Sequence, residues 1–316
     1  MSMPDNHPRI PGTEAKRVLV AGVTGRFGAI ADLLLARGHA VRAATRDPAH
    51  PAAAALAARG AEIVRADFED AGSLAAAGRG MTTVFASGTA HKAGPAGEER
   101  HGKNLADALS AGSPPHLVFV SGAGADRPTG LAVLDAKRAV EQRIRELRLP
   151  ATVIAPVYLM ENLFNPWNLA ALGAGVLPTA VPPALPLQQV ATSDILALAV
   201  RAIEQPGVFE GERIEAASDA STGQDAASVL SALLGRAFSA RQLPHADLPP
   251  GLAALFGWLE RNPSPVDTGA LRRRFPGITW HSFGDWAFGQ RGRLAEASGT
   301  APAPGQPGGK RAAAPC

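Results

Sequence analysis

The stretch from Arg17 to Gly28 (RVLVAGVTGRFG) is the feature that most constrains how this chain can fold. Val18, Leu19 and Val20 form the short apolar run of a buried parallel strand. Gly22, Gly25 and Gly28 follow at intervals of three and lead into the helical pattern Ala29 to Arg37. Strand, glycine turn and helix in that order make a dinucleotide site, because glycines let the backbone approach a pyrophosphate that no Cβ blocks. Thr24, Arg26 and Phe27 complete the turn. Two residues separate the first pair of glycines, so the general Gly-x-Gly-x-x-Gly spacing is not strictly met, and a purely structural turn is the alternative.

The units that follow repeat the alternation of strand and helix. Ala40 to Ala44 reads as a second strand ending at Thr45 and Arg46, Ile63-Val64 as a third ending at Asp67 and Phe68, and Thr82 to Ala86 as a fourth ending at Ser87 and Gly88. Leu117 to Val120 and Pro150 to Ile154 continue the series. The expected fold is α/β, a doubly wound parallel Rossmann sheet with a small C-terminal α/β substrate lobe. Ligands then sit at the carboxyl ends of the strands. An Arg at the end of the second strand suits the 2′-phosphate of NADP(H), where an acid would select NAD(H), so Arg46 with Arg26 favours NADP(H). Each could also be an ordinary surface arginine. Asp67 and Phe68 suit the adenine, although Asp67 could equally cap the next turn, which Ser73 is read to open.

In the helix expected over Leu131 to Arg148, Lys137 falls about 20° from Ile144, at the edge of the apolar stripe Val133, Ala136, Val140, Ile144 and Leu147. Lysine seldom stands there, and a snorkelling side chain is the bland alternative. Ser121, at the end of the fifth strand, would face the nicotinamide end of the cofactor. His91 and Lys92 are read as loop residues within reach of a substrate. A proline-rich stretch from Phe164 to Val190, carrying Trp167, reads as a pocket cover.

The expected organisation is a disordered segment over 1–16, a nucleotide-binding domain over 17–155, a substrate lobe with returning strands and helices over 156–292, and a disordered tail over 293–316. Net charge is +3 with Arg and Lys dispersed among 28 acids. The compact run Arg272 to Arg274 reads as a solvated helix face, so nucleic acid is not an expected partner. No apolar run of membrane-spanning length occurs, and no secretory leader is recognisable, so the expected setting is cytoplasmic. The one cysteine, Cys316, allows neither an intramolecular disulfide nor a cysteine metal site.

Taken together, the glycine turn, Gly102-Lys103-Asn104, Lys137 with Val140-Glu141, and Pro156 through Met160-Glu161-Asn162-Leu163 resemble the atypical, NmrA-like branch of the short-chain dehydrogenase/reductase superfamily. The likeness runs from about Arg17 to Gln290. It implies a Rossmann NAD(P) domain with a C-terminal substrate lobe, and a site in which catalytic members use a Ser, a Tyr and a Lys four residues after the Tyr. Ser121 and Lys137 match, but Val133 stands at the tyrosine position and has no proton to give. Tyr158 is the sole tyrosine, and it or Lys137 would have to substitute. The resemblance leaves two readings open. One is an NADPH-dependent oxidoreductase acting on a small, mostly apolar carbonyl or unsaturated compound. The other is an NADP(H)-sensing regulator acting through a protein partner.

Overall fold

The computed structural model describes residues 13–263 and 265–300, the side chains of 90–92 excepted. Six strands alternate with helices through the first half: β1 (Arg17–Ala21), α1 (Ile30–Ala36), β2 (Ala40–Thr45), α2 (Pro51–Ala58), β3 (Glu62–Arg65), α3 (Ala71–Gly78), β4 (Thr83–Ser87), α4 (Ala90–Leu109), β5 (His116–Val120), α5 (Ala132–Glu146) and β6 (Ala151–Pro156). The second half adds β7 (Tyr158–Leu159), α6 (Pro166–Gly173), β8 (Val176–Thr179), β9 (Leu187–Val190), α7 (Thr192–Glu204), α8 (Pro206–Phe209), β10 (Arg213–Ala216), β11 (Asp219–Ser221), α9 (Gly223–Leu234), β12 (Ser239–Gln242), α10 (Pro250–Arg261), α11 (Thr268–Arg274), α12 (Phe283–Gly289) and α13 (Arg291–Ala297).

A seven-stranded sheet in the order β10-β6-β5-β4-β1-β2-β3, parallel throughout, forms the centre. The order reverses between β1 and β4, which opens the crevice where ligands of such sheets bind. Strand alternation sends the side chains of β1 to opposite faces. Val18 and Val20 join a core with α1 and α7, while Leu19 and Ala21 join one with α3, α4 and α5. Both faces being covered, these strands are apolar runs rather than alternating ones. β10 comes from the second half of the chain and pairs with β6, so the later residues complete the sheet.

Beside the sheet lie a three-stranded sheet, β11-β9-β7, and a two-stranded one, β12-β8. Leu230, Trp286, Leu294 and Met160 form one buried cluster there, and Phe256, Val181 and the surrounding leucines another. Three expectations are corrected. Asp70, not Ser73, caps α3, its carboxylate accepting from Ser73 N at 3.1 Å. α4 already starts at Ala90, so the backbone at 91 and 92 is helical rather than loop, with a kink where Gly94 takes φ 68° before Pro95. The structureless tail does not begin at 293: α13 runs to Ala297, with Leu294 and Ala295 buried because they pack under α9 and α12. Residues 301–316 lie outside the described ones, as do 1–12. The last of the expected N-terminal segment is held, since Lys16 N donates to His39 Nδ1 at 3.1 Å. No helix among the described residues is long and apolar enough to cross a membrane.

Candidate functional site

The glycine turn leaves β1 because Gly22 takes φ 83°, and its N–H donates to the Ala44 carbonyl of β2 at 3.2 Å. Gly25 N donates to Gly22 O at 2.9 Å and Gly28 N to Gly25 O at 3.1 Å, so the chain coils tightly before α1. A Cβ on Gly28 would stand 1.8 Å from the Val23 carbonyl oxygen, which no relaxation of a side chain could relieve. Thr24, Gly25 and Arg26 are exposed on this turn, while Phe27 folds back into the core.

The turn forms one wall of a cavity of about 1280 Å³ at the carboxyl ends of the strands. Thr24, Arg26, Arg46, Asp67, Phe68 and Ser87 line its outer half, and Gly22, Gly25 and Phe27 also reach it. Gly28 does not; it shapes the turn from below. Arg46 is exposed at the end of β2, with His50 nearby on the wall. Asp67 resolves its two readings partly toward structure, as its Oδ1 accepts from Glu69 N at 3.1 Å. Phe68 is fixed at both ends: Asn104 Nδ2 donates to its carbonyl at 2.8 Å, and its ring stacks on His101 with centroids 5.7 Å apart. That gives Asn104, read above as part of a family likeness, a physical task.

At the inner end, Lys137 of α5 extends its ammonium to Glu98 Oε1 of α4 at 2.5 Å. Glu98 is 1% exposed and its Oε2 has no hydrogen-bond partner. Gly88, just past β4, makes room for the pair, because a Cβ there would lie 1.9 Å from Glu98 Oε1 and 2.6 Å from Lys137 Nζ. Val133, one helical turn before Lys137, lines the cavity with an apolar side chain. Ser121 also lines it, but its hydroxyl donates to Glu141 Oε1 at 2.5 Å. Glu141 is buried and bound by Arg213 Nε at 2.9 Å, and Arg213 further donates to Glu215 and to the Gly122 carbonyl. The Ser121 hydroxyl is therefore tied into a partly buried ion-pair network that joins the end of β5 to α5 and β10.

Tyr158 enters from the opposite wall, its ring edge-on to Phe256 at 6.3 Å. Burial pushes its phenol up to about 12, against the lowering by a hydrogen bond to the Asn162 side chain and by the Arg26 charge. It stays a neutral phenol at ordinary pH. The neighbouring Glu161 serves structure: its carboxylate accepts from Thr192 N at 3.1 and 3.0 Å, at the start of α7, and from Trp286 Nε1 at 2.9 Å.

The cover of the inner cavity is shared. The proline-rich stretch contributes Asn165, Trp167, Pro186 and Leu187, but α10 supplies a continuous apolar wall of Leu252, Leu255, Phe256, Trp258 and Leu259. Trp258 packs so closely on the loop after β5 that a Cβ on Gly124 would stand 2.9 Å from its ring. Sequence reasoning missed Glu98 and α10's part. Glu98 is separated from Lys137 by 39 residues, and no local spacing reports such a pair. The apolar spacing of Leu252, Leu255, Phe256 and Leu259 along α10 carries the signal that could have found its part.

The sequence profile of the NmrA-like family matches residues 14–254. An NmrA-like family domain-containing oxidoreductase from a Cladobotryum species is 31% identical over 158 residues, which are 46% of this chain and 47% of the relative. The match thus spans about half the length of that curated relative. Among solved structures, an NADPH-dependent quinone oxidoreductase from Escherichia coli, complexed with NADPH, is similar at a TM-score of 0.72 and 22% identity, over 88% of this chain and 99% of that one. NmrA, a negative transcriptional regulator, in complex with NADP, is similar at 0.71 and 21% identity, over 90% and 98%. These two likenesses are of fold. With the family profile matched from the glycine turn through most of the lobe, the chain belongs to the NmrA-like family.

Proposed function

We propose that this protein binds NADP(H) and uses it to reduce a small, mostly apolar carbonyl or unsaturated compound, with Lys137 as the proton donor. The observation that carries this reading is the Lys137 ammonium, held by a buried carboxylate at the inner end of a cavity that runs from a glycine turn to an apolar wall. The residues present fit the dinucleotide. The turn has the tight coil that a Cβ at Gly28 would fill, and Arg26 and Arg46 stand exposed beside it to take a 2′-phosphate. Gly22, Thr24, Gly25 and Phe27 would border the pyrophosphate, Asp67 and Phe68 the adenine, and Ser87 the inner ribose side. NADPH bound there supplies a hydride to the electron-poor carbon of the substrate.

As that carbon gains the hydride, negative charge develops on the substrate oxygen, and Lys137 gives it a proton. Val133 cannot, and the Ser121 hydroxyl is turned to Glu141, so Ser121 holds the wall rather than the substrate. The high phenol pKa of Tyr158 keeps it a neutral hydrogen-bond donor, suited to orienting a substrate oxygen under the α10 wall. With its side chains of Leu252, Phe256 and Trp258, that wall excludes water and favours apolar substrates. We place the activity in the cytoplasm.

The test is a panel of carbonyl compounds and quinones with NADPH, read by cofactor absorbance, on wild type and Lys137→Met. Turnover in wild type and a fall of roughly 100-fold or more in the mutant is the expected result, the scale of a lost general acid. Equal activity of the two would overturn the role given to Lys137. A second reading, an NADP(H)-sensing regulator with a protein partner, is favoured by Val133 and by the engaged Ser121 hydroxyl, which remove two members of the usual triad. It would be supported by NADPH binding without turnover on any member of the panel.

A further inference from the structure

Beside Glu98 lies a second, small cavity of about 10 Å³, bordered by Glu98, Thr89, His101, Ser87 and Phe119, of which Thr89, His101 and Ser87 also line the main cavity. That is at the lower size limit for one water, and Glu98, Thr89, His101 and Ser87 bring polar side chains to a lining that is otherwise apolar. Glu98, which borders it, has its Oε2 buried and without a partner. On the other side, the Thr89 hydroxyl is 2.9 Å from His101 Nδ1, and His101 Nε2 is 2.8 Å from Glu69 Oε1. The Glu69 side chain is half exposed. The kink at Gly94 is what brings Thr89, at the head of α4, back against His101 twelve residues later. The Phe68 ring stacked on His101 fixes the plane of the imidazole.

We propose that Thr89, His101 and a water in this cavity form a proton path that recharges Lys137 through Glu98. The inference rests on the reductase reading above. After giving its proton to the substrate oxygen, Lys137 is a neutral amine beside the Glu98 carboxylate. A proton taken from solvent by His101 passes to the Thr89 hydroxyl as that hydroxyl releases its own to the water. The water hands one proton to Glu98 Oε2, and a half-turn of the carboxyl delivers it to the amine. One proton enters at the surface for each one lost to substrate, and no electrons move along the path. Val133 and the engaged Ser121 hydroxyl cannot provide that proton from the cavity wall.

Two measurements on the full-length protein test this. In the protein without cofactor, acetylation of Lys137 by acetic anhydride, followed by mass spectrometry, should be about tenfold faster in Glu98→Gln than in wild type, since the ammonium loses the carboxylate that holds it. Glu98→Asp should fall between them. An unchanged rate would overturn the part assigned to Glu98. In turnover at saturating NADPH and substrate, Thr89→Val and His101→Ala should each be slowed roughly tenfold and become more sensitive to D2O, and imidazole in the buffer should restore His101→Ala. Imidazole rescue is not expected of a merely structural histidine. Wild-type rates in both variants, or a loss in His101→Ala that imidazole leaves untouched, would overturn the path. Absence of turnover in the wild type would instead sink the reductase reading and the path with it, while the acetylation rates still decide the pairing of Glu98 with Lys137.

Discussion

Arg46 is the residue on which cofactor choice turns. It is exposed at the end of β2 beside the glycine turn, and its planar fork matches a 2′-phosphate better than a lysine would. Arg46→Ala should weaken NADPH by roughly tenfold or more, the worth of one or two charged hydrogen bonds, and leave NADH little changed. Titration of both nucleotides into wild type and mutant checks this, and equal wild-type affinities would end the idea. The position was legible because the end of a strand, its arginine and the preceding glycine turn are read along a short run of sequence. Lys137 was legible for a similar reason, as a charge at the edge of an apolar stripe. The carboxylate that holds it was not, since helical periodicity describes one helix and the pair joins two.

At the scale of elements, α4 and α5 can bring Glu98 to Lys137 only by packing closely. Gly102 permits that approach: a Cβ there would lie 2.3 Å from Val140 Cγ2. α13 makes the opposite point. The alanine, glycine and serine content after Arg293 suggested a chain with nothing to bury, yet Leu294 is 1% exposed among residues of α9, α12 and the 160–172 stretch. Arg236 adds a hydrogen bond to the Ser298 carbonyl at 2.6 Å. One well-placed leucine is too little to produce a periodic signal but enough to dock a short helix. Leu294→Ala should therefore destabilise the protein by about 2–5 kcal/mol, the range for emptying a buried leucine site. A melting temperature equal to wild type would show that α13 contributes nothing.

For the molecule as a whole, acid stability depends on a histidine far from the cavity. His116 begins β5 and lies buried, its Nε2 2.9 Å from the Thr152 hydroxyl, which itself donates to the Phe209 carbonyl. Nδ1 has no partner, and burial pulls the imidazole down from 6.5 to about 4. A folded-state value below the unfolded one means the unfolded chain takes up the proton first. The contribution is therefore complete above about 6.5 and is lost progressively as pH falls toward 4. The loss should approach on the order of 3 kcal/mol at the acid end. Denaturant titrations of wild type and His116→Leu between those limits check it: the wild-type stability should slope downward toward acid more steeply than the mutant's, and parallel curves would refute the assignment.

The sequence by itself determined the sheet, the crevice and the phosphate end of the site. Apolar runs, glycine turns and helix stripes are local patterns, and a parallel sheet with both faces covered follows from their alternation. The tertiary structure alone decided that Lys137 meets Glu98, that Ser121 turns to Glu141 and Arg213 rather than to a substrate, and that α10 walls the inner cavity. Those outcomes come from side chains tens of residues apart sharing one buried space, where charge pairing and close packing select the partners and sequence spacing carries no record of them.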